Sequence, residues 1–124
     1  MRLKKSWAAL GTPTTFEEIM QWVYEHRIEG FGPVGVYDTA LRIGVYMGIY
    51  PEMVYIHAGS KEGTKLLLGK DYTAKIAYYF MGDLDYPVLD PLVYPEEIQN
   101  LAPYHIENFL CNRINKIRQF VASN

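Results

Sequence analysis

Phe16, Ile19, Met20, Val23 and Tyr24 fall three and four residues apart, the spacing of one helix face. Thr14 or Thr15 precedes them as a cap, and Glu17 and Glu18 fill the first turn, where the helix dipole favours anions. The pattern predicts an amphipathic helix to about Arg27. Gly30-Phe31-Gly32-Pro33 breaks it, and Pro33 suits the first position of a second helix capped by Gly32 and ended by Tyr50-Pro51. Ala40, Gly44 and Gly48 recur every four residues along that helix, beside a stripe of Tyr37, Leu41 and Val45. A glycine inside a helix costs about 1 kcal/mol against alanine, so two on one face imply close approach by another backbone.

Pro51 to Ile56 reads as an extended connector or a short helical turn, and a third helix begins near His57 or Ala58 and ends at Gly69. Tyr72 to Phe80 is apolar but fits helix and strand equally. Gly82 to Leu92 carries Pro87 and Pro91 and reads as irregular. Pro95 starts a short helix. Pro103 starts the last one, with Ile106, Phe109, Leu110, Ile114, Ile117 and Val121 on one face. The expectation is a mainly α chain: an arm over residues 1–13, then a single compact domain over 14–124 with five or six helices.

At 124 residues and 49% apolar content the chain can bury a core without staples. Fourteen acids against twelve bases exclude a strongly basic nucleic-acid coat protein but leave room for local basic patches. Charge is uneven. Asp83, Asp85, Asp90, Glu96, Glu97 and Glu107 lie in residues 76–112, which hold no Lys or Arg. Lys61, Lys65, Lys70 and Lys75 precede that stretch, and Arg113, Lys116 and Arg118 follow it. Cys111 is the sole cysteine, so no intrachain disulfide forms and a reducing compartment fits best. The basic start, Met1-Arg2-Leu3-Lys4-Lys5, precedes an apolar stretch too short for a signal peptide, and no run approaches a membrane span. The default is a cytoplasmic protein with no membrane partner. Eleven tyrosines suit an interface or a stacking surface, or a tyrosine-rich shell over the core.

The stretch Ile28-Glu29-Gly30-Phe31-Gly32-Pro33-Val34-Gly35 carries the most specific chemistry. A Gly-x-Gly turn between helices lets an outside group approach, and free N–H groups at the new helix start favour a phosphate. This segment resembles the helix-hairpin-helix motif of DNA-repair and DNA-binding proteins: Ile28, Gly30, Phe31, Gly32 and Pro33 match, and Thr39-Ala40 matches with extra residues between. The resemblance implies a phosphate held by the backbone at Gly30, Gly32 and Val34. It extends toward endonuclease-III-like glycosylases through Gly48-Ile49-Tyr50-Pro51 and Val54-Tyr55-Ile56, but His57 stands where their catalytic aspartate would be. Their catalytic lysine has no counterpart, and one cysteine cannot build their iron–sulfur loop. The phrases Val36 to Gly44 and Pro51 to Gly59 are also similar to a group of small bacterial hypothetical proteins without an assigned activity, which adds no function.

His57, Lys61 and Lys65 are spaced i, i+4, i+8, and Gly59 and Gly63 form the adjoining stripe. They read either as a second phosphate contact or as a solvated face with helix packing at the glycines. Asp38 and Arg42 read either as a surface ion pair or, with Tyr37, Tyr55 and His57, as a polar pocket in which a histidine acts as base. Cys111, beside Leu110, reads as core rather than nucleophile. His26, His57 and His105 are too far apart in sequence for a metal motif, and no nucleotide-cofactor fingerprint occurs, so neither metal nor cofactor is expected. Three functions stand side by side. The first is a non-catalytic nucleic-acid-binding module using Gly30, Gly32, Val34, Lys61 and Lys65. The second is a small enzyme or ligand-binding protein built on Tyr37, Asp38, Arg42 and His57. The third is an interaction module, with a protein partner or as a homodimer.

Overall fold

Thr15 opens the first helix as the spacing predicts: its side chain accepts from the Glu18 N–H at 3.1 Å, and α1 runs Phe16–His26. Glu18 returns the contact by accepting from the Thr14 hydroxyl at 2.7 Å, which holds its carboxyl below the usual range. The computed structural model describes residues 11–27 and 32–123. Pro33 at the first position and Gly32 as cap start α2 (Pro33–Met47). A left-handed Gly48, φ 74°, ends it by donating back to Gly44 and Val45. Then follow β1 (Val54–Tyr55), α3 (Ala58–Leu68), a 3-10 turn at Lys70–Lys75, β2 (Ala77–Met81) and β3 (Leu84–Leu89). A 3-10 turn at Pro91–Val93, α4 (Glu96–Gln99), α5 (Pro103–Asn112) and α6 (Ile114–Ser123) complete the described chain. Helices dominate, so the mainly α expectation holds.

The described residues gather into two compact units: one up to Pro51 plus Phe80–Asp85, the other Glu52–Tyr79 plus Tyr86 onward. In the first, α1 packs on α2 through Phe16, Ile19, Met20, Val23, Val36, Tyr37 and Ala40, all essentially inaccessible to solvent. Phe16 meets Tyr37 edge-on with ring centres 5.7 Å apart. The backbone that approaches Gly44 is the chain's own returning turn: a Cβ there would run into the Ile49 carbonyl, while the Ile49 N–H donates to the Gly44 carbonyl at 2.8 Å. The Gly82-Asp83 turn also belongs here. Gly82 takes φ 59°, the left-handed value demanded at the first position of a tight hairpin turn. The Tyr24 hydroxyl donates to the Asp83 carboxylate at 2.7 Å, and Arg27 donates to the same oxygen at 3.1 Å while its guanidinium lies 3.9 Å from the Tyr24 ring centre. The Tyr24 hydroxyl first, then Arg27, hold the Asp83 carboxyl below the usual range.

The core of the second unit is Val54, Ile56, Tyr72, Leu89, Tyr94, Ile106, Leu110 and Ile117. α3 lies against α5, and its glycines make that contact close. A Cβ on Gly59 would sit 3.0 Å from Cys111 Sγ, and one on Gly63 would sit 2.9 Å from the Leu110 carbonyl oxygen. Thr64 and Tyr94 join their hydroxyls at 2.8 Å inside this core. Burial pushes the Tyr94 hydroxyl up to about 12, so the core accepts only its neutral form. Its folded value lies above its unfolded one, so the stabilisation is complete below pH ~10 and is lost as pH rises toward ~12, by about 2–3 kcal/mol. Urea unfolding at pH ~9 and ~11.5 should show a larger alkaline loss for the wild type than for Tyr94→Phe. Equal losses would assign the alkaline effect to other groups.

The structure corrects the expected elements in two places. Residues 82–92 were expected to be irregular, yet β3 runs through Pro87 as the middle strand of a β1–β3–β2 sheet. Pro87 has no N–H to give, but its carbonyl accepts from the Ile56 N–H at 2.9 Å beside the antiparallel pairs Val54–Leu89 and Tyr55–Val88. The long last helix is instead two, α5 and α6, parted at Arg113, whose φ −122° and ψ 33° leave the helical basin. Tyr72 to Phe80 resolves into a 3-10 turn followed by β2.

Candidate nucleic-acid interface

Gly30 and Phe31, two of the three residues of the Gly-x-Gly segment, lie outside the described residues. Gly32 is described and does not use a glycine's special freedom: its φ of −86° and ψ of −168° are extended, and a Cβ there would meet nothing. Its contribution is the absence of a side chain. No side-chain cap covers the first turn of α2, Pro33 has no N–H, and the first amide taken up by the helix is Val36, which donates to the Gly32 carbonyl at 3.0 Å. The Val34 amide therefore starts the helix with no side-chain cap among the described residues, and Val34 is exposed. In the first unit this is the anion-compatible feature that the sequence marked.

The second unit holds the lysines. Lys61 and Lys65 are exposed, one turn apart on α3, and neither forms an ion pair among the described residues. Glu62 between them leans to Arg118 of α6, 4.0 Å away. Arg113 and Lys116 are exposed at the start of α6. His57 leaves this stripe. It is the N-cap of α3 and forms a capping box with Ser60, its backbone N–H donating to Ser60 Oγ at 2.8 Å. Gly59 and Gly63 are turned to α5, where Cys111 and Leu110 occupy the space a phosphate would need. Of the two readings of those glycines, helix packing is the one observed.

The residues of the pocket reading have separate employments. Tyr37 is buried in the first unit's core, and Asp38 and Arg42 are exposed one turn apart on α2 without bonding to each other. Tyr55 is buried in the second unit, edge-on to Tyr86 at 5.8 Å. Cys111 is half-buried and donates to Glu107 Oε2 at 2.9 Å. No group of three His, Cys, Asp or Glu side chains among the described residues could hold a metal ion. No helix among them is long and apolar enough to cross a membrane. Sequence reasoning missed two polar contacts, Tyr24–Arg27–Asp83 and Thr64–Tyr94. The one local signal for the first was the Gly82-Asp83 pair between alternating apolar positions. Compared with protein-family models, with curated proteins and with solved structures, the chain matches none.

Proposed function

We propose that this chain is a non-catalytic nucleic-acid-binding module that holds the phosphate backbone and belongs with helix-hairpin-helix proteins. The observation that carries the reading is the pair Lys61 and Lys65, exposed at one-turn spacing on α3 and without an ion pair among the described residues. Arg113 at the break before α6, and Lys116 and Arg118 on it, add positive charge in the same unit. In the first unit, α1 followed by α2, with Gly32 and Pro33 opening the second helix, supports the resemblance. Backbone amides and lysines contact phosphates without reading base edges, so binding should be weak in sequence preference.

Fluorescence anisotropy with labelled single- and double-stranded DNA and RNA tests this. Two lysine–phosphate contacts on duplex DNA predict a log–log salt slope of about −1.8, so raising salt from ~50 to ~200 mM weakens binding about tenfold. Lys61→Glu with Lys65→Glu should abolish that binding while far-UV circular dichroism stays unchanged, since both side chains are solvated. Equal affinity in the double variant, or no binding at ~50 mM salt by a folded protein, would refute the module.

A further inference from the structure

Phe16, Ile19, Met20 and Val23 of α1 are spent on the core of the first unit. Glu18, Gln21, Trp22 and Glu25, spaced i, i+3, i+4 and i+7, share another face of the helix. With Pro13 they wall an open hollow of about 260 Å³. Both of its charged walls carry a carboxylate. Oε1 of Glu18 is taken up by Thr14 and Thr15, and Oε2 of Glu25 accepts from the Gln21 amide at 3.3 Å. Neither glutamate makes an ion pair among the described residues. α1 itself has no Lys or Arg. The His26 ring, 4.6 Å from that of Trp22, has its Nδ1 committed to the Trp22 carbonyl at 2.8 Å, and Arg27 is drawn away to Asp83.

The path of the chain into this hollow selects the occupant. Pro13 is a buried wall of it, while Gly11, Thr12 and Thr14 are exposed. Gly11 takes φ 70°, a left-handed turn that redirects the chain two residues before that wall. Residues 1–10, which lie outside the described residues, hold Arg2, Lys4, Lys5 and Trp7 and no acid. Extended, ten residues reach about 33 Å, against about 10 Å between Glu18 and Glu25 along the helix axis. A segment tethered this closely meets the hollow at about millimolar effective concentration, so contacts too weak to hold a free peptide suffice for it. We propose that the arm 1–10 docks on α1 as a strap, setting Lys4 and Lys5 against Glu18 and Glu25 and laying Trp7 in the hollow beside Trp22. The charge on the two sides is opposite, and an indole wall suits both an aromatic ring and a lysine ammonium.

The test uses nuclear magnetic resonance of the ¹⁵N-labelled full chain. Lys4→Glu with Lys5→Glu alters nothing in the described core, yet should shift the backbone amides of Gln21, Trp22 and Glu25 and the Trp22 indole N–H. Glu25→Lys, at an exposed position, should in turn shift the Trp7 indole N–H toward its position in the urea-unfolded chain. The combined variant should move both indole signals back toward their wild-type positions, because opposite charges face each other again. Fluorescence gives a second reading. Trp22→Phe leaves Trp7 as the sole tryptophan, and its emission should move to the red when Lys4 and Lys5 are reversed. α1 amides unmoved by reversal of Lys4 and Lys5 would mean that the arm does not lie on this face. Strictly additive shifts in the combined variant would mean that the charges do not pair. Either result overturns the proposal, and neither bears on nucleic-acid binding through Lys61 and Lys65.

Discussion

Leu110→Ala is expected to destabilise the protein by about 3 kcal/mol, one of the two largest effects of a single substitution predicted from this structure. Leu110 is fully buried, and α3 has given up two side chains, at Gly59 and Gly63, to lie against its segment of α5. The surroundings are backbone and packed side chains that relax little, so the cost includes a cavity beyond the lost transfer energy. Gly63→Ala attacks the same seam from the other side. Alanine gains about 1 kcal/mol of helix propensity, but its Cβ meets the Leu110 carbonyl oxygen at 2.9 Å and the Leu110 side chain at 3.0 Å, so the net change should still be destabilising by about 1–2 kcal/mol. The double variant should cost less than the sum, because the shortened side chain yields part of the space; the shortfall should be about 1 kcal/mol, with the carbonyl contact left in place. Urea unfolding followed by circular dichroism measures all three. Strict additivity would mean that Gly63 and Leu110 do not share a contact in solution.

Gly44→Ala is the second. Two effects oppose each other: the helix interior favours alanine by about 1 kcal/mol, and the new methyl collides with the carbonyl of Ile49. That carbonyl is backbone in the turn that closes α2, held where the Ile49 N–H donates to Gly44, so it cannot step aside as a side-chain tip would. Overpacking of this kind costs about 1–3 kcal/mol and more against rigid backbone, so a net loss of about 2 kcal/mol is expected. Tryptophan fluorescence reads it through Trp22, which is buried in the same unit. A stabilised Gly44→Ala would show that helix propensity outweighs the clash.

How much of this was legible beforehand depends on the range of the interactions. α1, the start of α2 and the end of α3 were readable because their causes are local: the Thr15 side chain accepting from the Glu18 N–H, proline at a first turn, Gly69 after the last turn of α3. β3 was obscured by Pro87, although Leu84, Tyr86 and Val88 keep the period-two burial of a strand. The break at Arg113 left no trace, since the apolar spacing runs unbroken from Ile106 to Val121 and no glycine or proline interrupts it. In the candidate site, the exposure of Lys61 and Lys65 followed from helical spacing. The capping role of His57 did not, because a histidine at a helix start looks the same in sequence whether it caps or faces solvent. Tyr24 and Arg27 find Asp83 across separations of 59 and 56 residues, beyond any local pattern.

The hairpin tip has a consequence for how this chain is made. The N-terminal helices α1 and α2 leave the ribosome well before the residues that finish their unit. Synthesis must pass Asp85 before Tyr24 and Arg27 can close on Asp83. Until then Phe16 and Tyr37 can pack, but Met81 and Leu84, buried in the finished structure, have not yet been made. The two units are therefore interleaved in time as well as in sequence, and no single cut in the gene would part them: one after Pro51 keeps the second whole but strips the first of Phe80–Asp85.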